Sequence, residues 1–199
     1  MFISFEGTEG VGKSTLVTSL AAWLQAQGTA VVCTREPGGT VLAEKIRNLV
    51  LQDSMCANTE LLLMFAARSQ HIYEVIEPAL AAGQWVLCDR FVDASFAYQG
   101  AGRGMPLEKI AMLQSQFVDV MQQLTFWLDA PIDTGLKRVA QRDSTDRFEQ
   151  EKQVFFERIY RGYAARTQAE PQRMIRIDAS QDAAHVLSRC QDIITAHHT

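Results

Sequence analysis

Phe5-Glu6-Gly7-Thr8-Glu9-Gly10-Val11-Gly12-Lys13-Ser14-Thr15 is the stretch on which the reading of this chain turns. Residues Gly7 to Ser14 fit the pattern GxxxxGK[ST]. The apolar run Phe2 to Phe5 before it reads as a strand, and Lys13 to Gln27 after it as a helix. In that setting the glycines let successive backbone N–H groups turn inward around phosphate oxygens, and the helix N-terminus adds the positive end of its dipole. Lys13 is placed to reach the outer phosphates of a nucleoside triphosphate, and the Ser14 hydroxyl suits a Mg²⁺ ligand. The expected triphosphate-binding residues are therefore Gly7, Thr8, Glu9, Gly10, Val11, Gly12, Lys13, Ser14 and Thr15.

Outward from this loop, short apolar runs alternate with helical patterns. Phe2 to Phe5, Ala30 to Cys33, Trp85 to Cys88, Thr125 to Leu128 and Met174 to Ile177 read as five strands covered on both faces. Helices are expected over Lys13 to Gln27, Val41 to Leu51, Thr59 to Ala82, Pro106 to Met121, Ile132 to Arg142, Glu149 to Gln168 and Ala183 to His197. This alternation predicts an α/β fold, a parallel sheet flanked by helices. Right-handed crossovers put the carboxyl ends of the strands, and the ligand crevice, on one side. No repeat or linker divides the chain, so residues 1–199 read as one domain. The polar run Gln141-Arg142-Asp143-Ser144-Thr145-Asp146-Arg147 is either a solvated connection or a mobile cover over the site.

Composition narrows the class. The 199 residues carry a formal charge of −4, which argues against a surface built to grip nucleic acid. No basic start precedes an apolar stretch long enough for export, and no run approaches the roughly 20 residues of a membrane span. Cys33, Cys56, Cys88 and Cys190 form no CxxC pair; Cys33 and Cys88 sit in apolar runs and read as buried, and the expected setting is a reducing cytoplasm. Asp119, Asp129 and Asp133 read as surface or strand-end charges, Trp23, Trp85 and Trp127 as core, and His197-His198 as a frayed tail.

Neither Asn48 nor Asn58 is followed by Lys and no Thr-Lys pair occurs, so a guanine-reading switch is disfavoured against transfer to a second molecule. Two strands run into charge at the crevice: Thr34-Arg35-Glu36-Pro37-Gly38-Gly39-Thr40 and Cys88-Asp89-Arg90-Phe91. Asp89 has the position of a second acidic group near Mg²⁺, through water. Arg35 and Arg90 together suit a phosphate on the acceptor, because a guanidinium fork matches phosphate oxygens. Such an acceptor is already anionic and needs no general base, whereas a sugar hydroxyl would. A monophosphate kinase is thus favoured over a nucleoside kinase; a deoxynucleoside kinase and a non-catalytic nucleotide switch remain as alternatives.

With these pieces in place, the chain resembles the bacterial thymidylate kinases, P-loop nucleoside monophosphate kinases, over essentially its whole length. The residues that carry the likeness are the loop, Arg35-Glu36-Pro37-Gly38-Gly39-Thr40, Ala66-Ala67-Arg68-Ser69-Gln70-His71, Asp89-Arg90-Phe91, Ala97-Tyr98-Gln99-Gly100 and Asp146-Arg147-Phe148-Glu149. The resemblance implies a three-layer P-loop NTPase fold with a five-stranded parallel sheet and a short mobile lid at about 141–149. It implies γ-phosphoryl transfer from ATP to dTMP, with Mg²⁺, in a cytoplasmic homodimer whose partners are these two nucleotides. It also implies roles: Glu9 near the acceptor's 3′-hydroxyl and phosphate, Arg35 and Arg90 on that phosphate, with Pro37 beside them, and Arg68, Ser95 and Gln99 on thymine. Tyr98 would crowd the ribose 2′ position. Arg142 would act from the lid, since Thr8, Glu9 and Val11 leave the loop without a further cation. Catalysis would then rest on Lys13, Arg142, Glu9 and Arg90. The family's thymine-stacking Phe falls at Met64 here, so Phe65 is expected to stack in its place, with Met64 lining the pocket as the alternative.

Overall fold

The computed structural model describes residues 1–133, 135, 147, 148 and 151–198. Most of the expected helix Ile132 to Arg142, including Arg142, and most of the segment 141–149 lie outside the described residues.

Five parallel strands form one sheet: β1 (Phe2–Glu6), β2 (Val31–Arg35), β3 (Trp85–Asp89), β4 (Leu124–Asp129) and β5 (Met174–Asp178). Their order is β2-β3-β1-β4-β5, so the chain leaves β1 toward one edge of the sheet and its neighbour β3 toward the other. A crevice opens beyond the carboxyl ends at such a point. The register brings Arg35, Asp89 and Phe5 level with one another, which delivers three successive strand ends to the same edge.

All five residues of β1 are buried. Ile3 and Phe5 face a layer holding Leu16, Leu20 and Leu24 of α1 (Lys13–Ala26) and Val186, Cys190 and Ile194 of α8 (Ala183–His198). Phe2 faces the other layer, among Leu61, Phe65, Ile76, Val86 and Phe91. Full cover on both faces is what the unbroken apolar runs required. The edges differ: β2 is only partly covered and Cys33 is exposed, not buried, because no strand flanks it on its outer side. Trp85 and Trp127 are buried, Trp23 only partly, and Asp129 is a nearly buried strand end that accepts from Arg176 Nε at 2.5 Å.

Thr40 caps α2 (Val41–Gln52), its Oγ1 accepting from the Ala43 amide at 3.0 Å. The long helix expected over Thr59 to Ala82 is three pieces: α3 (Ala57–His71), a π-helical turn Ile72–Ile76 and α4 (Glu77–Ala81). The interruption lies just before Pro78, which has no amide to close the ladder back to Glu74. α5 (Val92–Ser95) and the π-helical turn Phe96–Gly102 have no counterpart among the expected helices. Every residue from Phe91 to Gly100 is buried, so no polar face marks a helical period. That segment packs closely on α7 (Gln153–Ala169): a Cβ on Gly162 would stand 2.8 Å from Ala101 Cβ. α6 (Leu107–Phe117) ends four residues earlier than expected.

Candidate active site

The loop after β1 bends because its glycines adopt left-handed backbone: φ is 139° at Gly7, 72° at Gly10 and 96° at Gly12. A Cβ at Gly7 would meet the Leu128 carbonyl at 2.7 Å and one at Gly10 the Gly135 carbonyl at 2.5 Å, so neither side chain nor a second conformation is available there. Lys13 is buried; its Nζ donates to the carbonyls of Thr8 (2.7 Å) and Gly7 (3.1 Å). Burial first, and Arg90 second, pull its pKa down to about 8. Ser14 Oγ donates to Asp89 Oδ2 at 2.9 Å, so the loop and the end of β3 meet as the sequence predicted.

Arg90 follows β3 with φ of 71°, the one non-glycine residue with positive φ among those described. Its amide donates to the Phe5 carbonyl and the next amide, of Phe91, to Glu6 Oε1, which pins this strained corner to β1. The guanidinium donates to the Gly7 carbonyl (2.8 Å), the Tyr163 hydroxyl (3.2 Å) and Glu9 Oε1 (3.0 Å), and lies over the Tyr98 ring at 4.7 Å. Tyr98 in turn donates its O–H to Glu9 Oε1 at 2.6 Å. Glu9 Oε2 is buried without a hydrogen-bond partner among the described residues. Behind them Tyr163 donates to Glu6 Oε2 at 2.8 Å, and burial, reinforced by Asp93, pushes the Glu6 carboxyl up to about 8. Glu6 and Tyr163 are supports for Arg90 that the sequence did not single out; a Glu closing an apolar strand was the available signal.

A cavity of about 470 Å³ opens on this edge, walled by the loop from Glu9 to Thr15 and by Arg35, Pro37, Asp89, Arg90, Tyr98 and Gln99. Met64 is on its wall; Phe65 is not. Phe65 is 3% exposed and packs in the core with Phe2 and Phe91, so of the two neighbours it is Met64 that faces the cavity. One step along a helix turns a side chain by about 100°, enough to exchange core for cavity. Arg68 and Ser95 also lie behind the wall. Arg68 is wholly buried, donating to Glu36 Oε2 (2.7 Å), Ser95 Oγ (3.1 Å) and the Phe91 carbonyl (3.1 Å). Glu36 takes His71 Nδ1 at 3.0 Å as well. Arg35 is half exposed and forks onto Glu44, at 2.9 and 3.0 Å, rather than standing free over the cavity. Arg47 of α2 reaches the wall unforeseen: on an amphipathic helix it reads as one more surface charge.

Gln99, 1% exposed, donates from Nε2 to Glu60 Oε1 at 2.9 Å, and its Oε1 has no partner among the described residues. A second, smaller cavity of about 180 Å³ shares Val11, Gly12 and Thr15 with the loop and is closed by Leu128, Gln181, Ala183 and Val186. The loop therefore stands between two recesses, the smaller without a charged side chain and the larger lined with arginines.

A phosphate-binding loop at the carboxyl edge of a 2-3-1-4-5 parallel sheet, with a recess on each side, defines a P-loop nucleotide-binding protein with room for two ligands. The family model described as thymidylate kinase matches residues 5–189. A thymidylate kinase of Acinetobacter baumannii is 51% identical over 193 residues, 95% of this chain and 97% of the relative. That of Acinetobacter baylyi is 52% identical over 98% of this chain and 99% of the relative. A crystal structure of thymidylate kinase from Ehrlichia chaffeensis superposes with a TM-score of 0.81 at 31% identity, covering 98% of both chains. The chain belongs to the thymidylate kinase family.

Proposed function

We propose that the protein transfers the γ-phosphoryl group of ATP to dTMP, giving dTDP and ADP, a step in dTTP synthesis. The observation that carries this reading is the pair of recesses meeting at one phosphate loop, with Arg90 and Arg47 on the wall of the larger. ATP takes the smaller, uncharged recess with its base and the loop amides with its phosphates. The acceptor takes the larger one. Arg90 keeps its Nε proton and one Nη2 proton uncommitted among the described residues, enough for a phosphate oxygen. Glu9 Oε1 accepts from Arg90 and Tyr98, which fixes the carboxylate beside the acceptor cavity with Oε2 left for the ligand. An acceptor that arrives as an anion needs no general base, and this favours dTMP over thymidine. The unpaired Glu9 Oε2 suits the deoxyribose hydroxyl, and Gln99 Oε1 a base N–H. A coupled assay of ADP release compares the two acceptors; activity on thymidine alone overturns the proposal.

Mg²⁺ fits the site: the Ser14 hydroxyl and the Asp89 carboxylate, 2.9 Å apart, are the hard oxygen donors such a cation takes beside phosphate. Ser14 would hold it directly and Asp89 through water. When bound, it would offset charge on the donor's phosphates. Lys13, steered by the loop carbonyls, would neutralise the moving group, and Arg90 would align the acceptor. We assign Arg142 the same task from a lid at about 141–149 of a single domain, residues 1–199. Arg142→Ala then lowers kcat by about 10³ with dTMP affinity retained; near-normal turnover removes it from the mechanism.

Lys13 gives a prediction that does not require turnover. With a pKa of about 8 it is half protonated at pH 8, and bound polyphosphate restores the proton. ATP binding at pH 8 therefore takes up about half a proton per site, measured by calorimetry in buffers of different ionisation enthalpy. Binding enthalpies independent of buffer contradict this. The sign for stability agrees: a lysine depressed in the folded state costs stability near pH 7, and the loss is recovered between about pH 8 and 10.5.

Tyr98 lines the acceptor cavity while packing edge-on against Phe148, Phe155 and Tyr163. Tyr98→Ala is expected to narrow the preference for deoxyribose over ribose monophosphates, and to destabilise the fold by about 3–5 kcal/mol. Unchanged sugar discrimination, with the stability loss intact, returns Tyr98 to a packing role.

The described residues include no helix long and apolar enough to cross a membrane, and their four cysteines are free. Both are compatible with the cytoplasmic location proposed. The exposed apolar side chains Leu62 of α3, Tyr73, and Met112 and Phe117 of α6 support a homodimer; a solution mass of one chain would exclude it.

A further inference from the structure

Glu60 of α3 is a carboxylate only 1% exposed, set behind the acceptor cavity rather than on its wall. Its Oε2 accepts from Arg147 Nη2 at 2.6 Å and stands 3.3 Å from Arg103 Nε. Its Oε1 accepts from Gln99 Nε2 at 2.9 Å. Two guanidinium groups pair with it in a dry setting, and a carboxylate that accepts from them presents acceptors to its other neighbours. Gln99 is therefore not free to turn over. Rotating its amide would bring Oε1 against Glu60 Oε1, two buried acceptors with no proton between them.

We propose that Glu60 determines which base the site accepts, by locking the Gln99 amide with its nitrogen turned away and its oxygen left for the ligand. The proposal rests on the reading of Gln99 as a base contact. A six-membered imide, with a ring N–H flanked by carbonyls, supplies the proton that Oε1 lacks. A 4-aminopyrimidine has a bare ring nitrogen at the same place and meets an acceptor with an acceptor. Glu60 touches no substrate; it is a positioning residue acting through Gln99. The segment that carries Arg147 is held in the same way, since its guanidinium also donates to the Val50 carbonyl at 3.1 Å. The carboxylate thus draws its charge balance from outside the pocket and needs no cation next to the base.

The test compares dTMP, read as KM and kcat, with dCMP, read as a competitive inhibition constant. Glu60→Gln keeps the shape but offers both a donor and an acceptor, so Gln99 can adopt either orientation. The expected result is a KM for dTMP raised about tenfold, kcat within about threefold, and the ratio of the dCMP inhibition constant to the dTMP KM reduced at least tenfold. Arg103→Ala loosens the same cluster but leaves the carboxylate on Gln99; it should lower the melting temperature and leave that ratio unchanged. An unchanged ratio in folded Glu60→Gln, or an equal change in Arg103→Ala, overturns the proposal. If the single variant does not fold, Glu60→Gln with Arg147→Gln, which leaves no unpaired charge, is read by the same criteria. Gln99→Ala separates the two failures. A normal KM for dTMP in it refutes the base contact and the lock together. A raised KM in Gln99→Ala, beside an unchanged ratio in Glu60→Gln, refutes the lock alone.

Discussion

Lys13→Met is expected to lower kcat by about 10³ or more while leaving dTMP affinity within a few-fold. Lys13 is buried in the loop with its Nζ on the carbonyls of Gly7 and Thr8, which hold the ammonium where a phosphoryl group would pass. Its charge is worth most when negative charge shifts between donor and acceptor, so the loss falls on the chemical step rather than on binding. Methionine fills the same length without the charge. Stability should move the other way. An ammonium whose pKa is pulled down by burial is costly to hold in the folded state, so the melting temperature of the variant should be unchanged or higher. Steady-state kinetics with both nucleotides saturating, beside a thermal melt, read the two effects. A kcat within tenfold of the parent would take Lys13 out of the transfer step.

Arg90→Ala should produce a loss of similar size, distributed differently: a higher KM for dTMP and a kcat/KM lower by about 10³. The substitution removes the guanidinium from the acceptor wall and leaves Glu9 with the Tyr98 hydroxyl as its remaining hydrogen-bond donor among the described residues. Arg90→Lys should restore little, because one ammonium cannot reach the Gly7 carbonyl, Tyr163 and Glu9 and still fork onto phosphate. The backbone sharpens the point. A φ of 71° is costly for a residue with a Cβ, by roughly 1 kcal/mol, and glycine would relieve it. That a bulky arginine stands there is consistent with a position retained for its side chain. Arg90→Gly is accordingly expected to be inactive yet no less stable at the backbone. Full activity in Arg90→Lys would show that charge alone suffices.

Much of this architecture was legible along the chain. The loop pattern between strand and helix identifies its own context, because glycine backbone freedom, a lysine and a hydroxyl must follow one another at fixed spacing to surround phosphate. The five strands were legible because a parallel sheet buries both faces and leaves unbroken apolar runs. The misreadings have separate causes. Cys33 sits in such a run but on an edge strand, and edge position depends on strand order. The helix from Val92 and its continuation to Gly102 were invisible because a segment buried all round has no polar face to set a period.

What the sequence by itself determined is therefore the fold class, the triphosphate loop, the residues at the ends of β2 and β3, and membership in a family. Each of these is written in neighbours a few residues apart. Only the tertiary structure decided which side chains face the larger cavity. Met64 reaches the wall while Phe65 enters the core; Arg68 and Ser95 bond to each other behind it; Arg47 arrives from α2; and Glu60 meets Gln99 and Arg147, which lie 39 and 87 residues away in the chain. Local pattern specifies which face of an element is apolar. It does not specify the rotation and approach of elements once they dock, and a difference of one helical step, about 100°, separates a ligand contact from a core residue.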